Sequence, residues 1–222
     1  MEVYQTEDQQ VESMKQWWAK NARSTIVALI AGLAIILGGR AWVEHKDSQS
    51  EAASVLYHSM LTAMQDSKPD AALEQGARIL GQYESTPYAT LAALISAKVK
   101  MEQGDSTTAR THLQWVVDHG KPPEMVNIAR LRMARLLMDS GEAQQALTLL
   151  GSEPPAGFVV PYKELEGDLY RSLGQTGNAL SAYRSAMAAL TPQSRNRAEL
   201  QMKLDDVGGG TTTPTPAELP RA

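Results

Sequence analysis

Gly167-Asp-Leu-Tyr170-Arg-Ser-Leu-Gly174-Gln-Thr-Gly-Asn-Ala179-Leu-Ser-Ala-Tyr183-Arg-Ser-Ala186-Met187-Ala-Ala-Leu190-Thr-Pro192 alternates small and large residues at helical spacing, and its reading decides the rest of the chain. From Ala179, the residues Tyr183, Ala186, Met187 and Leu190 lie at offsets of 4, 7, 8 and 11, one buried face of a helix that Pro192 ends. Gly167 and Tyr170 fall on a preceding helix. Gly174 stands between the two, where a residue without Cβ reaches the left-handed conformation that closes a helix C-terminus. Gly167 and Ala179 are small where paired helices come closest, and Tyr170 and Tyr183 are large where the groove between them needs filling. The stretch predicts a helical hairpin.

The hairpin recurs upstream. A Gly followed five residues later by Ala appears as Gly104…Ala109, Gly141…Ala146 and Gly174…Ala179, at spacings of 37 and 33 residues. That is close to the ~34-residue period of helix-turn-helix solenoids. The middle copy keeps Ala134, Leu137, Leu149 and Leu150 but no aromatic residue, and the first clear copy has Ala97, Leu113 and Val116, with Lys100 where the last has Tyr170. Earlier, Lys68-Pro-Asp70 breaks the chain and Ala72, 37 residues before Ala109, opens a degenerate leading unit. After residue 45 no strand-like alternation persists. The expected fold is therefore all-α, a solenoid of three to four helix pairs whose outer members act as caps. Together these residues resemble the tetratricopeptide repeat.

Outside the repeats, Ser24-Thr-Ile-Val-Ala-Leu-Ile-Ala-Gly-Leu-Ala-Ile-Ile-Leu-Gly-Gly-Arg-Ala-Trp-Val43 is the one segment apolar enough to cross a bilayer. As a helix it spans roughly 30 Å, a hydrocarbon core. Arg40 lies near one end, where its stem can follow lipid while the guanidinium reaches the headgroups. Trp17 and Trp18 before it and Trp42 at its end suit the two interfaces. More than twenty residues come first, acidic Glu2, Glu7, Asp8 and Glu12 among them, and no small-residue cleavage pattern follows, so an uncleaved anchor is expected in place of a signal peptide or a core helix. Ala28 and Gly32, and again Ala34 and Gly38, are small residues four apart: either a contact for another spanning helix or ordinary lipid-facing positions.

Three basic residues (Lys15, Lys20, Arg23) precede the anchor and two (Arg40, Lys46) follow before Lys68, a bias toward a cytoplasmic N-terminus. Absence of cysteine among the 222 residues suits an oxidising compartment and excludes a disulfide scaffold or an acylated N-terminal Cys. Beyond residue 45 the chain holds 20 acidic and 17 basic residues, which gives no electrostatic case for nucleic acid. The expected domains are a leader (1–23), a transmembrane helix (24–43), a repeat domain (44–207) and a flexible Gly/Thr/Pro tail (208–222).

Neither Gly nor Pro occurs between Arg40 and Ser67, so the spanning helix either continues into the first unit, with Leu56, Met60 and Ala63 on one face, or breaks near His45-Lys-Asp-Ser. Gly151–Pro161 is too rich in Pro and Gly to be helical; its Phe158, the single Phe, either docks a partner or packs between neighbouring repeats. Chemistry is not apparent. His45, His58, His112 and His119 lack metal-ligand spacing and read as solvated surface residues, no phosphate-cradling Gly loop or nucleophile elbow occurs, and Asp205-Asp206 reads as solvent-facing. No enzyme activity, cofactor or metal is expected.

The leader Tyr4…Glu7-Asp-Gln-Gln-Val11-Glu12…Lys15-Gln16-Trp17-Trp18, the single anchor, and Tyr88-Ala-Thr-Leu91-Ala-Ala-Leu94-Ile-Ser-Ala97-Lys98 followed by Gly104-Asp105 form a specific combination. It resembles the YfgM family, the ancillary subunit of the bacterial Sec translocon, over about residues 1–207. The resemblance implies a single-pass inner-membrane protein with a cytoplasmic N-terminus and a periplasmic tetratricopeptide-like domain. It also implies association with the SecYEG channel and the membrane-anchored periplasmic chaperone PpiD, and handling of secretory and outer-membrane protein chains as unfolded clients. No active-site residues come with it. The alternative expectation is a regulatory tether that sequesters a stress-signalling component at the inner membrane through the leader.

Overall fold

The computed structural model describes residues 7–208, and among them every regular element is a helix: α1 (Glu7–Gln65), α2 (Pro69–Gln82), α3 (Pro87–Glu102), α4 (Ser106–His119), α5 (Pro123–Asp139), α6 (Ala143–Leu150), α7 (Val159–Ser172), α8 (Thr176–Ala188) and α9 (Arg197–Gly208). The all-α class with an N-terminal apolar helix is the class adopted. Tyr4 and Glu2 of the leader, and residues 209–222 of the expected tail, lie outside the described residues, and α9 itself includes Gly208. The chain divides into two compact units at Ala52 and Ala53.

In the first unit α1 passes through His45-Lys-Asp-Ser without a break. Among the described residues Ile30, Ile35, Leu37 and Trp42 are each more than half exposed. Their stretch is a helix long and apolar enough to cross a membrane. Just past it, Lys46 Nζ sits 5.5 Å from the centre of the Trp42 ring, a cation over an aromatic face one turn away.

The second unit is built from hairpins. Pro69, Pro87 and Pro123 each occupy the first helical position, where the missing N–H has no intrahelical partner to lose. Four turns share one geometry. Ser67, Gly104, Gly141 and Gly174 have φ of 57°, 79°, 78° and 70°. Each donates its N–H to the carbonyl three residues back, and the next residue donates at 2.8 Å to the carbonyl five residues back. This is the paired bond that closes a helix on a left-handed residue. The leading unit is thus a full hairpin with Ser67 in the glycine position. Asp105 caps α4 by accepting from the Thr108 N–H at 3.0 Å, a bond that with Lys100 holds its carboxyl below the usual range.

Packing follows the same register. Seven residues before and nine after each turn residue stand Gly167 and Tyr183, Ala134 and Leu150, Ala97 and Leu113, and Met60 and Gly76. A Cβ on Gly167 would run into the Tyr183 ring. In the leading unit the sizes are exchanged: Met60 is large, and a Cβ on Gly76 would meet Met60 Cε at 3.1 Å and Ser96 Oγ at 2.7 Å. One large and one small residue still meet at the crossing, although the small residue has changed helices. Leu56 and Ala63 join Met60 in a leading core cluster with Ala72, Ile79, Ala89 and Ala92. The main core runs from Ala93 to Leu169, and a trailing cluster gathers Ala179, Tyr183 and Ala186 around Leu200 of α9.

Gly151–Pro161 differs in part from the non-helical expectation. Val159, Val160 and Pro161 form the first turn of α7, where a proline removes no helical hydrogen bond. Phe158 precedes that turn, packs on the main core and meets Tyr162 edge-on at 6.2 Å, which favours the packing alternative over partner docking.

Candidate functional site

Side chains six residues before a turn glycine leave the hairpin core and face the space beside the first helix. Lys98, Arg135 and Asp168 hold this place in α3, α5 and α7. Between α3 and α5 the space is a groove of about 350 Å³. Ala97, Leu113 and Leu136, all buried, give it an apolar floor, and Met101, 39 % exposed, adds a soft wall. Lys98, Arg132, Arg135 and Asp139 form the rim.

The rim is net positive. Lys98 is 3.7 Å from Glu102, but among the described residues neither Arg132 nor Arg135 makes an ion pair. Arg110, by contrast, is spent on the fold, reaching Glu142 at 3.1 Å and Gln145 at 3.3 Å across two hairpins. An apolar floor under unpaired guanidinium groups suits an apolar side chain with carboxylates beside it.

At the equivalent place in α7 a groove of about 380 Å³ opens beside Met138, Asp168, Arg171, Ser172 and Lys203, but its carboxylate is already paired. Asp168 accepts from the Tyr183 hydroxyl at 2.7 Å and from Lys203 Nζ of α9 at 2.9 Å, and Lys203 also donates to Glu164 at 2.7 Å. Burial pulls the Lys203 ammonium down, but hydrogen bonds and charges of Glu164 and Asp168 outweigh it and hold the group above its usual value. Burial first, and then the bond to Asp168, push the Tyr183 phenol well up. Helix α9 therefore ends the row of hairpins by neutralising the carboxylates that the groove position would otherwise expose.

The residues expected to define the repeats have these places. Gly104, Gly141 and Gly174 make the left-handed turns, and Ala109, Ala146, Ala179 and Ala186 are fully buried beneath them. Gly167 lies against the fully buried Tyr183, while Tyr170 is half-buried at the edge of the trailing cluster. In α1, Ala28 and Ala34 are exposed, and beyond the helix's own backbone and the chain neighbours no described atom lies within 4 Å of a Cβ built on Gly32 or Gly38. His112 differs from the solvated reading: it is half-buried on α4, and burial, with Lys100 assisting and Asp105 opposing, lowers its pKa. Among the described residues no three His, Cys, Asp or Glu side chains gather to hold a metal.

Arg132, Arg135 and Met101 were not singled out by sequence reasoning. The available signal was register, since Arg135 repeats the place of Lys98 at a distance of 37 residues.

Known proteins match along nearly the whole chain. Proteins named Ancillary SecYEG translocon subunit are similar to it: one from Escherichia coli (strain K12) is 26% identical over 93% of this chain and 99% of its own length. One from Haemophilus influenzae is 27% identical over 88% and 93%, and one from Neisseria gonorrhoeae is 24% identical over 93% and 100%. The resemblance read from the leader, the anchor and the Tyr88–Asp105 segment is thus matched by several relatives. The profile of the tetratricopeptide repeat-like domain matches residues 15–209, taking in the apolar helix and each hairpin, and the chain belongs to that family.

Proposed function

We propose that the chain is a membrane-anchored protein-binding scaffold that serves as an ancillary subunit of the Sec translocon. One observation carries this reading. Relatives bearing that name align over 93% of the chain, an extent that leaves out too few residues to miss either the apolar helix or a hairpin. A second unit of stacked hairpins and a groove that is open among the described residues support it, because stacked hairpins act by presenting a surface to other proteins. In this reading residues 1–23 are cytoplasmic, 24–43 cross the inner membrane, 44–207 stand in the periplasm and 208–222 form a tail. Ala28, Gly32, Ala34 and Gly38 pack against another spanning helix, with lipid around the rest. The periplasmic part meets secretory chains at SecYEG and shares them with a membrane-anchored chaperone such as PpiD.

Photo-cross-linking separates this from regulation through the leader. Tyr183 is buried and unsuitable as a probe site, whereas Arg135 and Gln16 are exposed. With a photoreactive residue at each, the proposal expects SecYEG or chaperone adducts from Arg135 and co-isolation of the channel in mild detergent. Cytosolic adducts at Gln16 with none at Arg135 would favour the regulatory tether. Because the chain has no cysteine, Gln16→Cys and Asp139→Cys report orientation directly. An impermeant maleimide is expected to label position 139 in spheroplasts and position 16 after lysis alone.

A further inference from the structure

We infer that the groove between α3 and α5 receives an internal peptide segment in which one large apolar side chain is flanked by carboxylates. This rests on the scaffold reading and names the chemistry of its partner. Its volume of about 350 Å³ holds a few residues and not a folded domain. An apolar floor of Ala97, Leu113 and Leu136 removes a leucine-sized side chain from water, which favours the side chain without choosing its neighbours. The neighbours are chosen by charge.

Arg132 and Arg135 are one helical turn apart on α5 and exposed at the rim, with no ion pair among the described residues, while Lys98 faces them from α3. Among the described residues that line the rim Asp139 is the single acidic group, and Glu102 lies 3.7 Å from Lys98. Guanidinium groups over an apolar floor reward a carboxylate and repel a second cation, so a basic segment with the same apolar side chain is rejected. The next position in the row shows the opposite outcome: Lys203 of α9 already occupies the carboxylates Asp168 and Glu164. Selectivity for acidic segments is therefore local to the α3/α5 groove and does not follow from the net charge of the chain, which is −4.

Two other occupants have compatible chemistry. One is the chain's own Ala217-Glu218-Leu219, and the other is a second copy. The test uses the full chain in neutral-detergent micelles and fluorescence anisotropy of a terminally blocked Ser/Gly peptide carrying one leucine with glutamates on both sides. Matched peptides replace the glutamates by lysines, or the leucine by serine.

The expected result is binding of the Glu-Leu peptide alone, weakening as salt rises. Arg132→Glu with Arg135→Glu should weaken it at least about tenfold and gain the Lys-Leu peptide, with helicity unchanged by circular dichroism. Should that variant not fold, Arg132→Gln with Arg135→Gln is expected to lose the Glu-Leu peptide without gaining the other. Several outcomes overturn the inference. These are equal binding of the Glu-Leu and Lys-Leu peptides, no binding by the parent chain, or an unchanged preference after charge reversal. Binding that appears only in a Glu218→Lys, Leu219→Ser chain would assign the groove to the tail, and a dimer that charge reversal dissolves would assign it to a second copy. Co-isolation with the translocon is read independently, so failure of the peptide assay leaves that result standing and loss of co-isolation leaves the peptide result standing.

Discussion

Ser67 takes φ 57° where the other three hairpins have glycine. A side chain with a Cβ is strained in the left-handed region by about 1–2 kcal/mol, partly relieved for small polar residues. Ser67→Gly is expected to raise stability by about 0.5 kcal/mol in urea unfolding, the strain relieved being offset by the greater freedom of glycine in the unfolded chain. Gly174→Ala should cost about 1–2 kcal/mol although nothing lies within 4 Å of its Cβ, since backbone conformation alone sets the penalty. Tyr183 tests the opposite term, packing. Removing its ring from full burial against Gly167 should cost about 3–5 kcal/mol as Tyr183→Ala. Tyr183→Phe should cost only about 1 kcal/mol, because Asp168 keeps its bond to Lys203 when the phenol is gone.

At the scale of the helix pair, the exchange of Met60 and Gly76 shows that the hairpin needs one large and one small residue at the crossing and does not fix which helix carries each. Met60→Ala alone should lose about 2–4 kcal/mol by opening a cavity under α2. Adding Gly76→Leu together with Ser96→Ala, which clears the buried Oγ that a side chain at position 76 would strike, should recover most of that loss. The attachment of α9 to α7 is a second property of elements in contact. Lys203 has a raised pKa, so its stabilising charge is present below the unfolded value near 10.5 and is lost as pH climbs through the folded value. The Tyr183 phenol is also raised from its ordinary 10.0, so above that pH the unfolded chain ionises first and stability falls further. Both terms have the same sign. Unfolding monitored by circular dichroism should show a midpoint that drops from about pH 10 upward, and Tyr183→Phe should remove the earlier part of the drop.

Across the second unit, each hairpin touches chiefly its neighbours in sequence, so local damage should stay local. Hydrogen exchange on Tyr183→Ala is expected to show lost protection in α7, α8 and α9 while α2 and α3 retain theirs. Uniform loss would indicate one cooperative block. The hairpins were legible from the sequence at Gly104, Gly141 and Gly174, and less so at Ser67, where the glycine signal is missing and only Ala72 kept the register. The rim of the groove was illegible for a different reason. Arg132 and Arg135 look like any solvated pair on a helix until α3 is placed opposite them, because a charge pattern along one helix says nothing about which neighbour faces it.

The sequence by itself determined the helical class, the repeating turns, the apolar helix near the N-terminus and the family, all of which depend on residues within a few positions of one another or on spacing along the chain. Tertiary structure alone decided the exchange of Met60 and Gly76, the packing of Phe158, the neutralisation of Asp168 by Lys203 from 35 residues away, and the groove where two guanidinium groups have no ion pair among the described residues. Local backbone preference is set by near neighbours, whereas volume and charge are balanced between surfaces that meet only after folding.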